Sequence, residues 1–517
     1  MASVSVPARD VSFPDGRHEL RDIGELRESP LWNEDLAPVP ISRRTWTTYN
    51  YAALWIGIAH NIPTYLLASS LISLGMAWYQ AVLTIALGNL IVLVPILLNS
   101  HGGTKYGIPF PVLARASFGV FGANVPALLR AFIACGWFGI QSWIGGGALF
   151  VLAGALLGSA WTKAPPLFGT PWTQWLSFAI FWLVQLAIIL RGMEMVRRFE
   201  NWAAPFVLVV AVFLLIWMVY SAHGFGPILS QPGKLGWGPG FWALFFPSLM
   251  AMIAFWATLS LNIPDFTRFG ASQRQQLVGQ ALGLPTTMTF FPLLAVLITS
   301  ATVVVYGRPI WDPVELTGKF TNPLVVVLAL VTLAVATLSV NIAANTVAPS
   351  YDFSNTVPKL ISFRTGSLIT GILGVLIQPW RLLADPHVYI FTWLGFYGGL
   401  LGSVAGVLIA DYWLVRRTVL DLPDLYRTDG AYRYTGGLNP RALLSILVGA
   451  VLAVGGAYSS PPGSGPFPVS GLIGWFKPLY DYSWVVGLLV AFLLYYVLTV
   501  IFPVRRQAAE RAAAAAT

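Results

Sequence analysis

Apolar residues run in long stretches along most of this chain, and short polar segments separate them. Several stretches exceed what a straight crossing needs, which indicates tilted or kinked helices. The pattern predicts an all-α integral membrane protein with about twelve transmembrane helices and no soluble domain between them. Each span is long enough to supply the roughly 20 residues that cross a bilayer core: 47–75, 78–99, 122–155, 173–192, 200–221, 238–265, 280–306, 323–350, 365–383, 388–414, 440–460 and 481–503.

Spans one and six share a short sequence pattern. Trp55 to Tyr65 aligns with Trp256 to Phe266 at a constant offset of 201, and tryptophan, asparagine, isoleucine and proline match. The offset indicates a tandem duplication of five spans, and because five is odd, the second copy crosses the membrane in the opposite orientation. The sequence therefore predicts a five-plus-five inverted repeat followed by two more helices.

This division gives five predicted segments. The first 46 residues are polar and lack an apolar h-region, so we expect a cytoplasmic tail and not a signal peptide. The order is an N-terminal cytoplasmic tail, two five-helix repeats, the last two helices with the cytoplasmic loop before them, and a C-terminal cytoplasmic tail: 1–46, 47–221, 238–414, 415–503 and 504–517.

The matched segments place an asparagine and a proline inside spans one and six, where proline removes a backbone hydrogen bond. Freed backbone groups are tolerated at membrane depth only where they face protein or a wet cavity. Broken helices at corresponding places in two halves therefore point to a substrate site. A proline kink used only for packing is the alternative, and the pairing favours a site.

Composition and charge agree with a membrane protein. Only 10% of the residues are charged, against roughly 25% in soluble proteins. Of the 30 lysines and arginines, 24 fall in predicted cytoplasmic segments, among them Arg115 and Arg130. This positive-inside pattern predicts that both termini are cytoplasmic, and it explains the net charge of +9 without nucleic acid. The single cysteine, Cys135, excludes an intrachain disulfide.

A few polar and aromatic residues fall at membrane depth. Trp137 and Gln141 share one face of span three, where an indole and an amide suit a flat, amide-containing ring. Span eight places Asn341 and Asn345 one turn apart, and we expect Asn345 to bind substrate and Asn341 to join helices. His60 is a candidate proton carrier or a neutral, packed imidazole. Packing and interhelical hydrogen bonds are the alternatives for the tryptophan and Gln141.

Enzymatic chemistry has little support in the sequence. The five histidines are scattered, and Gly102–Lys105 lacks the pattern of a phosphate-binding loop. Neither a selectivity filter nor a charged pore ring is apparent. The residues favour a secondary transporter over an enzyme, an ATP-driven pump or a channel.

Several motifs resemble those of the nucleobase–cation symporter-1 family, which carries hydantoins, allantoin, uracil, cytosine and purines. They cover nearly the whole chain: 31–38, 43–46, 107–115, 135–147, 339–345, 411–417 and 424–427. The resemblance implies a LeuT-type fold and alternating access. It also implies that the heterocycle lies between two tryptophans and pairs with three amides: Trp137, Trp256, Gln141, Asn345 and Asn61.

The resemblance further implies where sodium-coupled relatives bind the ion, between span one and span eight. The matching positions are Gly57, His60, Ala336, Ser339 and Val340. The family pattern has a threonine where this chain has Val340, so one oxygen ligand is missing, and His60 lies beside the gap. We therefore predict coupling to a proton, with His60 as the candidate carrier, or to weakly bound sodium.

We expect a symporter of the cell membrane that imports a small, neutral nitrogen heterocycle. Allantoin, hydantoins and uracil are the first candidates, and cytosine and purines follow. The expected partners are the heterocycle, a coupling cation (H⁺ or Na⁺) and membrane lipid, with no organic cofactor and no nucleic acid. An uncoupled facilitator or a binding-only receptor with the same fold is the alternative, and substrate accumulation distinguishes them.

Overall fold

The computed structural model describes residues 9–190, 209–320, 322–383 and 385–503. This part of the chain is built of helices joined by short connections. In chain order they are α1 (Gly24–Arg27), α2 (Thr48–Ala59), α3 (Ile62–Ser73), α4 (Trp78–Tyr106), α5 (Phe110–Phe118), α6 (Asn124–Leu157), α7 (Ser159–Thr162), α8 (Trp172–Leu190), α9 (Val209–Ser221), α10 (Phe225–Leu229), α11 (Pro239–Phe255), α12 (Ala257–Asn262), α13 (Pro264–Thr267), α14 (Gln273–Tyr306), α15 (Pro313–Thr317), α16 (Pro323–Asn345), α17 (Val347–Thr356), α18 (Phe363–Leu376), α19 (Pro379–Leu382), α20 (Gly395–Ile409), α21 (Pro440–Val454), α22 (Lys477–Tyr480) and α23 (Ser483–Ile501).

Smaller elements complete the described chain. Two π-helical segments, Val388–Leu394 and Ala410–Val415, flank α20. Strand β1 (Arg9–Ser12) pairs antiparallel with β2 (His18–Arg21), and β3 (Pro166–Leu167) pairs with β4 (Thr170–Pro171). Single 3-10 turns occupy Glu34–Leu36, Ile41–Arg43, Pro423–Tyr426 and Gly474–Phe476.

Each of the twelve predicted spans contains at least one helix within the described residues. Seven of these helical stretches are long and apolar enough to cross a membrane: α4, α6, α8, α14, α16 with α17, Val388–Val415 and α23. The helices of the other spans are shorter. In spans one and six they are shorter because the helix is interrupted. The C-terminal tail predicted over 504–517 lies outside the described residues.

Span one breaks where the sequence predicts. Helix α2 ends at Ala59 and α3 begins at Ile62, with Asn61 as its N-cap. The Asn61 side chain accepts a hydrogen bond from the Thr64 backbone N–H (2.8 Å) and donates to the Ile58 carbonyl (2.5 Å). Pro63 fits the first turn of α3 because that turn needs no N–H donor there. One asparagine therefore satisfies both sides of the break.

Span six is interrupted twice within the described residues. One interruption falls on Trp256, between α11 and α12, and the other on Ile263, between α12 and α13, directly after Asn262, the counterpart of Asn61. The Asn262 amide donates to the Asp265 carboxylate (3.3 Å) and does not cap a following turn. The repeated sequence therefore gives two discontinuous helices, and span six has an additional break at Trp256.

Span eight, predicted as continuous, is also interrupted. Thr346 separates α16 from α17 with φ −113° and ψ −42°. Pro349 follows three residues later, and a proline ring clashes with the carbonyl four residues before it, here that of Asn345. The proline accounts for the break, which the sequence analysis missed.

The long helices pack in three groups. Helix α6 contacts α8, α16, α17 and α18, whereas α14 contacts α2, α3 and α4; α20, α21 and α23 form the third group. Small residues permit close approach between membrane helices. At the crossing of α6 and α18, a Cβ on Gly139 would overlap the Gly374 carbonyl.

The segment predicted as an N-terminal tail is folded onto the protein, and its strand β2 already contacts α4. Leu31, Trp32 and Leu36 are buried in a cluster that includes residues of α5 and of 420–432. Arg44 is also buried and donates to the carbonyls of Val39 (2.7 Å) and His18 (2.6 Å). Apolar residues within this largely polar stretch therefore attach it to the helices.

A buried ion pair joins α6 to α17. Arg130 Nη1 lies 3.2 Å from Asp352 Oδ2, and the two side chains are 1% and 0% exposed. The sequence analysis counted Arg130, with Arg115, among cytoplasmic basic residues. Both arginines are instead buried in helices, so they do not contribute to surface charge.

We predict that Arg130→Met lowers the free energy of unfolding by about 3–5 kcal/mol, because it leaves the Asp352 carboxylate buried and unpaired. The double variant Arg130→Met/Asp352→Leu should recover much of that loss. Arg308→Met, which removes an exposed pair with Glu315, is the matched control and should cost at most about 1 kcal/mol. Thermal unfolding in detergent measures all three; additive losses in the double variant would contradict the prediction.

Candidate substrate site

The five residues predicted to contact substrate are all buried and sit on helices that touch one another. Trp137 and Gln141 lie in the middle of α6, Trp256 at the break of span six, Asn345 at the end of α16 and Asn61 at the start of α3. Helix α6 contacts α3, α12 and α16. Helices on one side of each of three interruptions therefore contact the same long helix.

The two tryptophans are connected through a third ring. Phe255 lies edge-on to Trp137 (centroids 5.2 Å apart, 78° between planes) and to Trp256 (4.9 Å, 88°). Trp256 also meets Trp55 edge-on at 5.1 Å. Phe255 was not predicted as a site residue, although it directly precedes Trp256. A flat ligand held between the two indoles must displace Phe255 or share its space.

Three polar atoms of the predicted site residues have no hydrogen-bond partner in the described chain. Gln141 Oε1 is a buried acceptor, and Trp137 Nε1 and Trp256 Nε1 are buried donors. Leaving a buried polar group unpaired costs about 1–3 kcal/mol. A ligand that presents both an N–H and carbonyl groups would satisfy the acceptor and the donors.

Asn341 belongs to a hydrogen-bond network between helices. Its Nδ2 donates to Gln185 Oε1 (2.6 Å) and to the Phe138 carbonyl (3.0 Å), and Gln185 donates to Ser142 Oγ (2.8 Å). The network joins α16, α6 and α8, which supports the structural role expected for Asn341. Gln185 and Ser142 were missed because single polar residues in apolar spans are ambiguous in sequence.

Asn345 and Asn61 differ in how their amides are used. Asn345 Nδ2 donates to Asn341 Oδ1 (2.9 Å), so the network fixes the direction of its amide. Both polar atoms of Asn61 bond to the backbone at the break of span one. In this conformation Asn61 positions the break, and its contact with substrate stays a prediction.

The helices that carry the predicted cation ligands pack together. Gly57 lies near the end of α2, and Ala336 and Val340 are buried on α16, which contacts α2 and α3. The Ser339 side chain falls outside the description. Thr337 Oγ1, missed in the sequence analysis, is buried on α16 and has no partner among the described residues.

His60 directly follows α2 as its C-cap, and its side chain is buried. Nδ1 lies 2.5 Å from the Ile56 carbonyl, and the ring meets Phe291 edge-on at 4.9 Å. Because a carbonyl only accepts, Nδ1 carries the hydrogen. Nε2 is therefore the atom of the neutral ring that can accept a proton, and it is buried without a partner in the described residues.

Comparison with known proteins identifies the class. A family model described as "Permease for cytosine/purines, uracil, thiamine, allantoin" matches residues 38–487. An allantoin permease of Bacillus subtilis is 43% identical, covering 93% of this chain and 95% of its own. A purine-uracil permease of Arabidopsis thaliana is 44% identical over 85% of this chain and 74% of its own.

A solved structure agrees with the fold. Mhp1, a nucleobase-cation-symport-1 family transporter in a closed conformation with bromovinylhydantoin bound, superposes with a TM-score of 0.73 at 26% identity, covering 92% of this chain and 97% of its own. The protein is a multi-pass membrane transporter with a LeuT-type fold, and not an enzyme. The chain belongs to the nucleobase–cation symporter-1 family, which confirms the predicted family and fold class.

We predict that Asn341→Leu and Asn345→Leu have different effects. Asn341→Leu removes the donor to Gln185 and should lower the free energy of unfolding by about 1–3 kcal/mol. Asn345→Leu removes one hydrogen bond at the end of the network and should destabilise the protein less. Thermal unfolding without ligand compares them; an equal or larger loss for Asn345→Leu would contradict the assignment.

Proposed function

We propose that this protein imports a small, uncharged, oxo-substituted nitrogen heterocycle, with allantoin, hydantoins and uracil as first candidates. The observation that carries the proposal is the pair of buried, unpartnered atoms, Gln141 Oε1 and Trp256 Nε1, beside two indoles. An acceptor and a donor next to aromatic faces suit a flat ring with alternating N–H and carbonyl groups. Similarity to an allantoin permease along nearly the whole chain supports the same substrate class.

The energetics of such a site favour selectivity. Each aromatic contact contributes about 0.5–1.5 kcal/mol beyond area burial. Hydrogen bonds to buried amides add little net affinity, but a ligand that lacks the matching groups leaves the amides unpaired and is rejected strongly. Cytosine and purines, which present different edges, follow as weaker candidates.

A proton is the first candidate for the coupling cation. Val340 supplies no side-chain oxygen where the family pattern has threonine, and hard cations need oxygen-rich sites. His60 Nε2, at the break of span one, is placed to accept a proton. Weakly bound sodium, held by backbone oxygens near Gly57 and His60, with Ala336 and Ser339, is the second candidate.

Alternating access follows from the discontinuous helices. Short half-helices such as α3 and α12 can tilt against α6 without unfolding a long continuous helix. Substrate enters from one side, occupies the site at the breaks and leaves from the other side. The cell membrane as location and the cytoplasmic side for both termini belong to this proposal.

We expect Trp137→Ala and Trp256→Ala each to abolish binding of allantoin, hydantoin and uracil, because each removes an aromatic face of the site. Trp475→Ala is the matched control, since that indole is 93% exposed. Ligand-induced stabilisation in detergent reports binding by mass action. Full stabilisation of either site variant would place the heterocycle elsewhere.

Proteoliposomes held at a fixed membrane potential test which cation is coupled to substrate uptake. Accumulation of radiolabelled allantoin or uracil should follow an imposed inward proton gradient and should not require sodium. His60→Gln should lose accumulation yet keep exchange of substrate across the membrane. Accumulation that follows a sodium gradient at constant pH would contradict proton coupling, and equilibration without accumulation would indicate a facilitator.

A further inference from the structure

An aromatic stripe on span ten lies against the candidate substrate site. Tyr389, Trp393 and Tyr397 follow one another at intervals of four residues, and their ring centroids lie 6.2, 6.0 and 6.3 Å from that of Trp137. The first two belong to the π-helical segment Val388–Leu394. Short π-helical segments are rare and occur frequently at functional sites.

The two tyrosine hydroxyls are already used. Tyr389 donates to the Pro63 carbonyl at the break of span one (3.1 Å). Tyr397 donates to the Ala254 carbonyl, two residues before the break of span six (2.9 Å). Span ten therefore holds the backbone on both sides of the site, and Trp393 sits between these two anchors.

Trp393 is held in place by a glycine. A Cβ on Gly136 would overlap Cη2 of the Trp393 ring, so the indole lies directly on the α6 backbone next to Trp137. Tyr397 packs on the other side at 4.9 Å. The indole is thus positioned by three neighbours, and none of them occupies its polar atom.

The polar atom of Trp393 is unused in the described protein. Its Nε1 is buried and has no hydrogen-bond partner there. Indole nitrogen is a donor only, and a buried indole normally finds an acceptor. A ligand with a carbonyl oxygen or another acceptor would therefore supply the missing hydrogen-bond partner of this atom.

We propose that Trp393 is a further substrate-binding residue whose indole N–H donates to a ring carbonyl and selects oxo over amino heterocycles. This inference rests on the proposed function. A further N–H donor, in addition to those of Trp137 and Trp256, suits dioxo rings, such as hydantoin, allantoin and uracil. An exocyclic amino group at the same edge would point its N–H at the Trp393 N–H, and neither group could accept a hydrogen bond. Cytosine should therefore bind less well than uracil.

The test is Trp393→Phe, which keeps an aromatic side chain but removes the N–H donor and the outer ring atoms that touch Gly136. Trp484→Phe is the matched control, because Trp484 also has a buried, unpartnered Nε1 but lies on α23. Dissociation constants for allantoin, hydantoin, uracil and cytosine are measured by calorimetric titration of each purified variant. Its unliganded melting temperature checks that each variant is folded.

Trp393→Phe should weaken each dioxo ligand that the wild type binds by about 2- to 10-fold and narrow the preference for uracil over cytosine. Trp484→Phe should match the wild type. Unchanged constants in Trp393→Phe, or an equal loss for uracil and cytosine, would overturn the donor role while the proposed function stands. Absence of binding by the wild type to all four compounds would overturn both.

Discussion

A helix that stops inside a bilayer leaves N–H and C=O groups without partners, and lipid supplies none. The rest of this structure depends on how those groups are satisfied. At span one, Asn61 bonds to the backbone on both sides of the break. At span six, Asn99 of α4 donates to the Ser260 carbonyl (2.7 Å), and Tyr397 donates to that of Ala254. Hydrogen bonds from side chains, of the break itself in span one and of neighbouring helices in span six, therefore satisfy these backbone groups.

The same constraint explains why the candidate site lies where it does. Completing the breaks requires polar side chains at membrane depth, and the long helix α6 is the surface against which the half-helices pack. Gln141 and Trp256 keep polar atoms that protein groups leave unused in the described chain. Leaving such buried groups unpaired costs free energy. A ligand that supplies their hydrogen-bond partners therefore binds favourably at this place.

Much of this arrangement could be predicted from sequence. Hydrophobic stretches locate the twelve spans, and the repeated Asn-Ile-Pro segment marks the discontinuous helices. The break at Thr346 was missed because Pro349 lies a turn beyond it. The roles of Phe255 and Trp393 were not apparent because aromatic residues make up 14% of the chain and only the fold shows which of them meet. The ion pair of Arg130 was not predicted because its partner, Asp352, is more than two hundred positions away.

The most direct test of this account is an experimental structure of the protein with allantoin or another bound dioxo heterocycle. We expect the ring between Trp137 and Trp256, with Phe255 moved from its contact with both indoles and a ring N–H within hydrogen-bond distance of Gln141 Oε1. A heterocycle bound away from α6, with Phe255 still touching both tryptophans, would contradict the central claim that the helix breaks form the substrate site.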